Sequence, residues 1–433
     1  MNNDVVYENL KKCNQLLQSS TEYLEYKNTD LIECLAFIKD LLNSDNDNNK
    51  YKTTTRDLQQ ISTLLWNYIQ RPDWKTIDNI VRDLYSFISI HYSLNTILNH
   101  DSNDDISVSI KDSIQILDYA LIVGGPLYRN QIHQLIDILN NSSNSNSNNN
   151  NNNNIKTTNY IKTNIKPFKL YQDMVENVDV LDELPSLQQF QGYMNRQQIV
   201  IIRNAIQHWP AIKKWCDLNY LKKVAGNRTV PIEIGKHYLE KEWTQKLLPI
   251  SDFISDYISN DDDDDDDDDD NDHNNNNKGY LAQTLLFDQI KELRNDIIVP
   301  DYCCLSTSDD GGDQEYDDDD NVTINAWFGP HHTTTPLHYD GSHNLLCQVV
   351  GMKYIRLYNP NQSEYLYPLQ DKSMGNSSGV DIESPDFNRY PHFKKANFSE
   401  CVLKAGDMLY IPPKHWHFVK SLTTSFSVSF WWR

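Results

Sequence analysis

Three residues whose types suit metal chemistry, His338, Asp340 and His417, lie in β-like runs near the C-terminus. Side chains alternate between faces in an extended strand, so His338 and Asp340, two apart, present an imidazole and a carboxylate on the same side. The alternative is that this pair is only a surface strand pairing its own charges. Two histidines and one carboxylate on one face of a metal, with the remaining positions open, suit Fe(II) oxygenases. We therefore predict a mononuclear iron site, with O2 and a cosubstrate in the open positions.

Two β-rich runs, 344–350 and 353–358, flank a short turn at Gly351 and Met352. This pattern predicts an antiparallel hairpin that forms one wall of a small barrel. Lys353 lies in the second run, where an inward-facing ammonium is costly unless it meets an anion, and a dicarboxylate cosubstrate would supply one. Alternation alone leaves an outward, solvated lysine equally open.

Two histidines compete for the third ligand position. His415 and His417 have the same strand parity, so the pattern alone does not decide between them. We prefer His417, because His415 lies closer to the break at Pro412 and Pro413 and also suits a loop or a supporting hydrogen bond. After the next turn, residues 425–432 alternate small and large side chains, which predicts a strand whose aromatic face lines a core or a pocket.

With these motifs the sequence resembles the Jumonji C (JmjC) oxygenases, which share a cupin-type double-stranded β-helix and use Fe(II), 2-oxoglutarate and O2. It is most similar to a small subgroup of arginyl hydroxylases that are also described as a histone H3 lysine demethylase and as a peptidase. The resemblance covers nearly all of residues 167–433. The stretches that carry it are 228–235, 280–283, 286–290, 298–303, 327–330 and 425–432.

The resemblance implies a role for each matching position. It makes His338, Asp340 and His417 the iron ligands. It also implies a set of residues around 2-oxoglutarate, in which Lys353 holds the far carboxylate: Tyr280, Thr335, Asn344 and Lys353. Thr335 departs from the serine expected there, but either hydroxyl donates and accepts a hydrogen bond, so function is expected to survive.

Four further positions match residues that contact the substrate side chain in this subgroup: Glu233, Tyr238, Trp243 and Trp327. A carboxylate beside aromatic faces suits a cationic guanidinium or ammonium group, through charge-assisted hydrogen bonds and cation–π contact. The alternative is that Trp243 and Trp327 are core aromatics.

The leading hypothesis is therefore a 2-oxoglutarate-dependent oxygenase that hydroxylates a peptidyl side chain, with arginine the first choice. Demethylation of histone H3 methyl-lysine is the alternative by the same chemistry. A hypothesis from another class is an inactive scaffold that binds chromatin. It predicts that the triad is broken or that Lys353 is missing, but all of these residues are present. A protease is disfavoured, since the sequence offers neither a Ser/His/Asp set nor a His-Glu-x-x-His zinc motif. The expected partner is a basic protein or peptide, histones included, rather than nucleic acid.

Most of the net charge of −22 lies in two acidic runs within 261–272 and 309–320; without their 19 acidic residues it would be −3. Such runs are too polar to bury, so we predict disordered insertions in the catalytic domain near 260–277 and 307–321. Attraction of basic tails is one interpretation. The other interpretation is that these runs are low-complexity expansions that surface loops tolerate. The asparagine run at 148–154 favours this second interpretation.

The seven cysteines are scattered without metal-ligand spacing, which favours free thiols in a reducing compartment. The N-terminus lacks a secretory pattern, and no apolar run approaches the roughly 18–20 residues of a membrane span. We therefore expect an intracellular protein of the nucleus or cytoplasm, without membrane association; nuclear residence rests on the resemblance.

The expected fold class is α+β. Apolar residues repeat at helical spacing within 1–139, which predicts an all-α module of five or six helices, with Asp57 and Asp104 as N-caps and a stop at Gly124. Two roles of this helical module are equally open: it binds a partner, or it is an accessory domain that stabilises the protein. Residues 140–166, rich in Asn and Ser, are expected to be a disordered linker, and 167–433 the JmjC domain. Because the sequence ends at Arg433, just after the last strand, we expect a monomer.

Overall fold

The chain forms two compact units, Met1–Asn154 and Ile155–Arg433. The computed structural model describes residues 54–70, 77, 79–99, 105–147, 160–161, 175–176, 178–240, 242–259, 278–307, 322–371 and 374–433. Apart from Thr307, the predicted acidic insertions lie outside these ranges, as do Cys13, Cys34 and the first 53 residues of the predicted all-α module.

The described part of the first unit is helical. Apolar side chains at intervals of three and four residues make one buried stripe on each helix, and Leu65, Ile88, Ile114 and Leu117 are fully buried in the shared core. The helices are α1 (Thr55–Ile69), α2 (Asn79–Leu98), α3 (Ile106–Val123) and α4 (Arg129–Ser147).

The helix ends correct two details of the sequence analysis. Thr54, not Asp57, is the N-cap of α1; Asp57 occupies the third position and completes a capping box. Asp105 caps α3, whereas the predicted cap, Asp104, is outside the described residues. Gly124 ends α3 as predicted. Helix α4 continues through Ser147, into the range assigned to a linker from composition alone.

The second unit is a sandwich of two sheets, so the chain as a whole is α+β. Its strands are β1 (Val175–Glu176), β2 (Asp179–Leu181), β3 (Val200–Ile202), β4 (Thr229–Ile234), β5 (Thr244–Pro249), β6 (Gly279–Thr284), β7 (Thr323–Gly329), β8 (Thr334–Tyr339), β9 (His343–Val350), β10 (Met352–Tyr358), β11 (Phe398–Lys404), β12 (Met408–Ile411), β13 (Trp416–Ser421) and β14 (Ser425–Trp432). The smaller sheet has the order β1-β11-β10-β13-β8, and the larger has the order β2-β3-β12-β9-β14-β7-β6-β4-β5.

The predicted hairpin between 344–350 and 353–358 is wrong. Strand β9 pairs with β12 and β14, whereas β10 pairs with β11 and β13 in the other sheet. Gly351, with φ of +75°, turns the chain from one sheet to the other instead of folding it back on itself. From β7 to β14 the chain crosses repeatedly between the two sheets, except from β10 to β11, which are neighbours in the smaller sheet, and the two sheets enclose a common interior.

Alternation along the strands gives each sheet an inner and an outer face. Ile355 and Val419 from the smaller sheet meet Leu346 and Ile411 from the larger sheet in the interior. The outer face of the larger sheet packs against helices: for example, Phe426 contacts Trp215 with ring centroids 4.4 Å apart. These helices are α5 (Leu187–Asn195), α6 (Pro210–Lys214), α7 (Leu218–Ala225), α8 (Ile250–Phe253), α9 (Leu286–Gln289) and α10 (Lys291–Arg294).

The described cysteines are all free thiols. Among the described helices, none combines the length and the apolar character that crossing a membrane requires.

Candidate active site

The structure brings the three predicted metal ligands together. His338 on β8 pairs directly with His417 on β13, and Asp340 follows the end of β8. Oδ1 of Asp340 lies 3.9 Å from Nε2 of His338, and Oδ2 lies 3.5 Å from Nε2 of His417. One potential ligand atom from each residue lies within 4.8 Å of the others. A single ion at about 2.0–2.2 Å from each donor suits this spacing.

Backbone carbonyls orient both imidazoles. Nδ1 of His338 donates to the Pro336 carbonyl at 2.8 Å, and Nδ1 of His417 donates to the His415 carbonyl at 3.0 Å. With the proton held on Nδ1, the lone pair of Nε2 points toward Asp340, as a metal-binding imidazole requires. Burial lowers the pKa of His417 to about 4, and the nearby His338 adds to the effect, so the neutral, ligating form prevails.

Asp340 carries the clearest sign that a cation belongs here. Its Oδ2 is buried and accepts no hydrogen bond from any residue in the described ranges. A buried carboxylate oxygen without a donor is unfavourable unless a cation compensates it. Two imidazole nitrogens and a carboxylate oxygen are the donor set of non-haem Fe(II), so the residues fit that metal and leave one side of it open.

His415 lies outside this cluster. It is 3% exposed and lines a separate cavity of about 510 Å³, together with Gln198 and Asn359. Its Nδ1 contacts the Pro413 carbonyl at 3.3 Å. Of the two histidines that the sequence left in competition, the structure therefore places His417 with His338 and Asp340, while the carbonyl of His415 orients the His417 ring.

A bulge in β8 places Thr335 on the inner face. His338 pairs with His417 and Thr335 pairs with Val419, so three steps along β8 match two steps along β13. The extra residue reverses the usual alternation, because directly paired residues share a face. Thr335 consequently lies on the same side as His338, although the two are an odd number of residues apart.

Lys353 faces the interior rather than solvent. Its side chain is 1% exposed, and its Nζ donates to the hydroxyl of Tyr280 at 3.1 Å. No carboxylate pairs with it within the described ranges. Burial lowers the pKa of Lys353 to about 7 and raises that of Tyr280, although the Thr335 hydroxyl opposes the latter rise. A buried ammonium that lacks an anion is suited to receive one from a ligand.

Asn344, the last residue predicted near the cosubstrate, lies on the inner face of β9. It is 5% exposed, and its Oδ1 has no hydrogen-bond partner in the described part of the chain. It is paired with Ile411 on β12 and Trp431 on β14. The four residues assigned to 2-oxoglutarate therefore come from both sheets and face one interior.

The predicted substrate residues also lie near this interior. Glu233 on β4 pairs with Tyr280 on β6, and its Oε2 accepts a hydrogen bond from the indole of Trp243 at 3.2 Å. Burial raises the pKa of Glu233 to about 7, and the Trp243 hydrogen bond opposes this rise. Trp327 is half-buried, with its ring centroid 6.3 Å from that of Tyr280. Trp243 therefore contacts a polar group, whereas Trp327 also packs against the apolar cluster that contains Ile355.

Sequence reasoning missed one residue beside the metal ligands, Ser377. It forms a bridge with His338, and its hydroxyl lies 3.1 Å from the Tyr238 hydroxyl. Backbone hydrogen bonds from Tyr339 to Asn376 and from Ser378 to Leu337 extend this contact along β8. Ser377 belongs to the long connection between β10 and β11, and no local motif signals its position.

Comparison with known proteins agrees with this architecture. Residues 185–433 match the family described as a cupin-like domain. The chain is 36% identical to "Lysine-specific demethylase 8" of Danio rerio over 95% of each chain. It is 41% identical to "JmjC domain-containing protein D" of Dictyostelium discoideum, over 88% of this chain and 86% of that protein. It is also 35% identical to "Lysine-specific demethylase JMJ30" of Arabidopsis thaliana, over 85% of this chain and 84% of that protein.

Proposed function

Because this chain belongs to the JmjC family of cupin-like proteins and is a 2-oxoglutarate-dependent oxygenase, we propose that it removes N-methyl groups from lysine side chains of proteins. The iron would be held by His338, Asp340 and His417. The observation that carries the proposal is that these convergent ligands share one interior with Lys353, a buried ammonium that none of the described carboxylates pairs with. Two relatives named as lysine-specific demethylases favour methyl-lysine as the target.

When bound, Fe(II) with 2-oxoglutarate and O2 supplies the oxidant that converts a C–H bond of the substrate to C–OH. On an N-methyl carbon, the hydroxylated product is a hemiaminal; its C–N bond breaks, formaldehyde leaves, and the nitrogen keeps a hydrogen. One methyl group is lost and 2-oxoglutarate becomes succinate and CO2.

The residues of this chain would bind and orient both reactants. Lys353 and Tyr280 would hold the far carboxylate of 2-oxoglutarate, where the buried ammonium has most to gain from an anion. Glu233 would attract the cationic head of the substrate, with Trp243 fixing that carboxylate and Trp327 offering an aromatic face. The open side of the triad would then receive the target carbon.

Hydroxylation of a peptidyl arginine is the second candidate, and Glu233 favours it. A partly buried carboxylate suits a guanidinium, which can donate two parallel hydrogen bonds to it, better than it suits a methylated ammonium with fewer N–H groups. The ligand triad is the same for both reactions, so the choice depends on which carbon comes closest to the metal.

Mass spectrometry distinguishes the two candidates. Purified protein with Fe(II), 2-oxoglutarate and ascorbate would be incubated with three basic peptides that differ at one position: dimethyl-lysine, arginine or unmodified lysine. Demethylation predicts loss of CH2 units and formaldehyde from the first peptide alone. A gain of one oxygen on the arginine peptide, without demethylation of the first, would replace the proposal by arginyl hydroxylation. Asp340→Ala serves as the inactive control.

We further propose that the protein substrate is basic, with histone tails the first to test, and that the protein acts in the nucleus. The names of the demethylase relatives support a lysine-containing substrate, whereas histone tails and the nucleus are suggested by the resemblance to the JmjC subgroup. A screen of histone H3 and H4 tail peptides by the same assay tests the first, and imaging of the tagged full chain tests the second.

A further inference from the structure

The cavity that His415 lines lies between the edges of the two sheets. Strand β2 is the last strand of the larger sheet, and β1 is the last strand of the smaller sheet on the same side. Val178 and Ile199 line the cavity from the side of the larger sheet, and Leu357 and Ser399 line it from the smaller sheet. Its described lining includes none of the residues assigned to the metal, the cosubstrate or the substrate side chain.

Next to this cavity, Val180 on β2 leaves an apolar side chain uncovered on the inner face of the larger sheet. It pairs with Ile201 on β3, which is 1% exposed in the core between the sheets. Directly paired residues share a face, yet Val180 is 48% exposed. The inner face is therefore covered at β3 and uncovered one strand further out. We call the cavity together with Val180 the edge groove.

The backbone of Val180 also points to the open edge of the sheet. The Leu181 carbonyl accepts a hydrogen bond from the Arg203 amide at 2.8 Å, on the side of β3. Because the backbone groups of successive strand residues point to opposite sides, the N–H and C=O of Val180 point away from β3. Within the ranges that the structure describes, no strand pairs with this side of β2. An edge of this kind is a template for an added strand.

Amide side chains surround the mouth of the edge groove. The exposed ones are Gln197, Asn359, Asn361 and Asn397. Each amide offers hydrogen-bond donors and acceptors, and a peptide backbone needs both along its length. The floor is less polar, because Leu357 is fully buried there and His415 is 3% exposed. A chain that lies across the mouth could place an apolar side chain on this floor.

The edge groove has no net formal charge. Arg196 and Asp179 are the charged residues of its described lining, and Gln198 bridges them. Nε of Arg196 donates to Oε1 of Gln198 at 3.0 Å, and Nε2 of Gln198 donates to Oδ2 of Asp179 at 2.7 Å. A charged ligand would find no free counter-charge here, which favours an uncharged one.

We propose that the edge groove binds an extended, uncharged peptide segment of a partner protein. The segment would pair with the backbone of Val180 as an added strand, cover the Val180 side chain and place an apolar side chain above Leu357. The amides at the mouth would satisfy its remaining backbone groups. This site is separate from the one that receives the methylated residue, so the inference does not depend on demethylase activity.

The test is selection of short random linear peptides, displayed on phage, on the immobilised full chain, with counter-selection against Val180→Lys. A lysine on an edge strand is one of the devices by which natural proteins block added strands. We expect enrichment of uncharged peptides with alternating apolar residues. Their affinity, measured by fluorescence polarisation, should be at least about ten-fold weaker for Val180→Lys than for the wild type.

Two further measurements identify the binding mode as strand addition. Val180→Pro removes the N–H that points to the open edge, which is a position where a strand tolerates proline, and should also weaken the selected peptides about ten-fold. N-methylation of single peptide residues should weaken binding at alternate positions opposite β2 and leave the intervening positions unaffected.

Val108→Lys is the matched control. Val108 lies on α3 of the helical unit and is 55% exposed, so the substitution is equally mild but distant in sequence from β2. This variant should bind the selected peptides like the wild type. The melting temperature and the turnover of a short methyl-lysine peptide should be unchanged in Val180→Lys, which separates loss of docking from loss of folding.

Failure to obtain peptides that prefer the wild type to Val180→Lys would overturn the inference. Selected peptides whose binding requires charged residues, or N-methylation effects without alternation, would contradict it as well. A concentration-dependent dimer of the wild type that Val180→Pro abolishes would assign the edge to a second copy of the chain instead. Absence of turnover in the wild type would bear on the proposed function alone.

Discussion

Replacing Lys353 by methionine should make the ligand-free protein more stable and the cosubstrate complex weaker. Lys353 is almost completely buried, and its polar contact is the Tyr280 hydroxyl at 3.1 Å. Methionine has a similar volume and no charge, so it fills the same space without the desolvation cost of an ammonium. A lysine kept for function rather than stability should show both effects.

The size of the effect on stability follows from the pKa of Lys353. Burial lowers it from 10.5 to about 7, and each unit corresponds to about 1.4 kcal/mol, which gives a cost of about 4–5 kcal/mol at pH 7 and below. Unfolding takes up a proton between pH 7 and 10.5, so the stability of the ligand-free wild type should rise with pH across this window. Lys353→Met should remove that rise.

The effect on binding is estimated from the ion pair. Removing one partner of a buried, hydrogen-bonded pair costs about 3–5 kcal/mol, which corresponds to a loss of 2-oxoglutarate affinity of about a hundred-fold to a few thousand-fold. Calorimetric titration of the Mn(II)-loaded protein measures this loss, and urea unfolding at pH 7 and pH 10 measures the stability. Lys404→Met, at an exposed lysine on β11, is the matched control. Unchanged affinity together with a less stable protein would show that Lys353 is structural.

Three further changes test other parts of the account. Burial raises the pKa of Glu233 to about 7. Because the carboxylate is protonated as pH drops through 7, kcat/KM for a cationic peptide should fall over the same range. Glu233→Gln should abolish this inflection in a pH–rate profile. Thr335→Ser should change the half-saturating 2-oxoglutarate concentration less than about two-fold, whereas Thr335→Val, which lacks the hydroxyl, should raise it clearly in the same succinate assay. Asp296→Ala should lower stability by about 3–5 kcal/mol in urea unfolding, because buried Asp296 accepts hydrogen bonds from Lys214, Trp215 and Tyr220; an unchanged unfolding midpoint would contradict this.

The sequence was enough to predict that His338, Asp340 and His417 converge, because their convergence depends on local spacing and one strand pairing. Alternation brings His338 and Asp340 to one side, and the antiparallel pairing of β8 with β13 adds His417. The choice between His415 and His417 was not decided by parity. It depends on where β13 begins, and the structure places His415 before that strand, in the wall of a different cavity.

Features that depend on distant pairings were missed. Parity would have placed Thr335 on the face opposite His338, and only the bulge against β13 reverses this. The hairpin prediction at Gly351 failed because local β propensity does not reveal which sheet a strand joins. Ser377 reaches the site through the long connection between β10 and β11, for which the local sequence carries no signal.

The most direct test of the central claim is an oxygenase assay in which NMR monitors the conversion of labelled 2-oxoglutarate to succinate. The reaction contains the protein, a basic methyl-lysine peptide, Fe(II) and O2. We expect succinate and formaldehyde in equal amounts from the wild type and from His415→Ala, and neither from Asp340→Ala or His417→Ala. Each of these two substitutions removes one of the three side chains proposed to bind the metal, whereas His415 lies outside that group. Full succinate production by folded Asp340→Ala, or its loss in His415→Ala with retention in His417→Ala, would contradict the assignment of the metal centre.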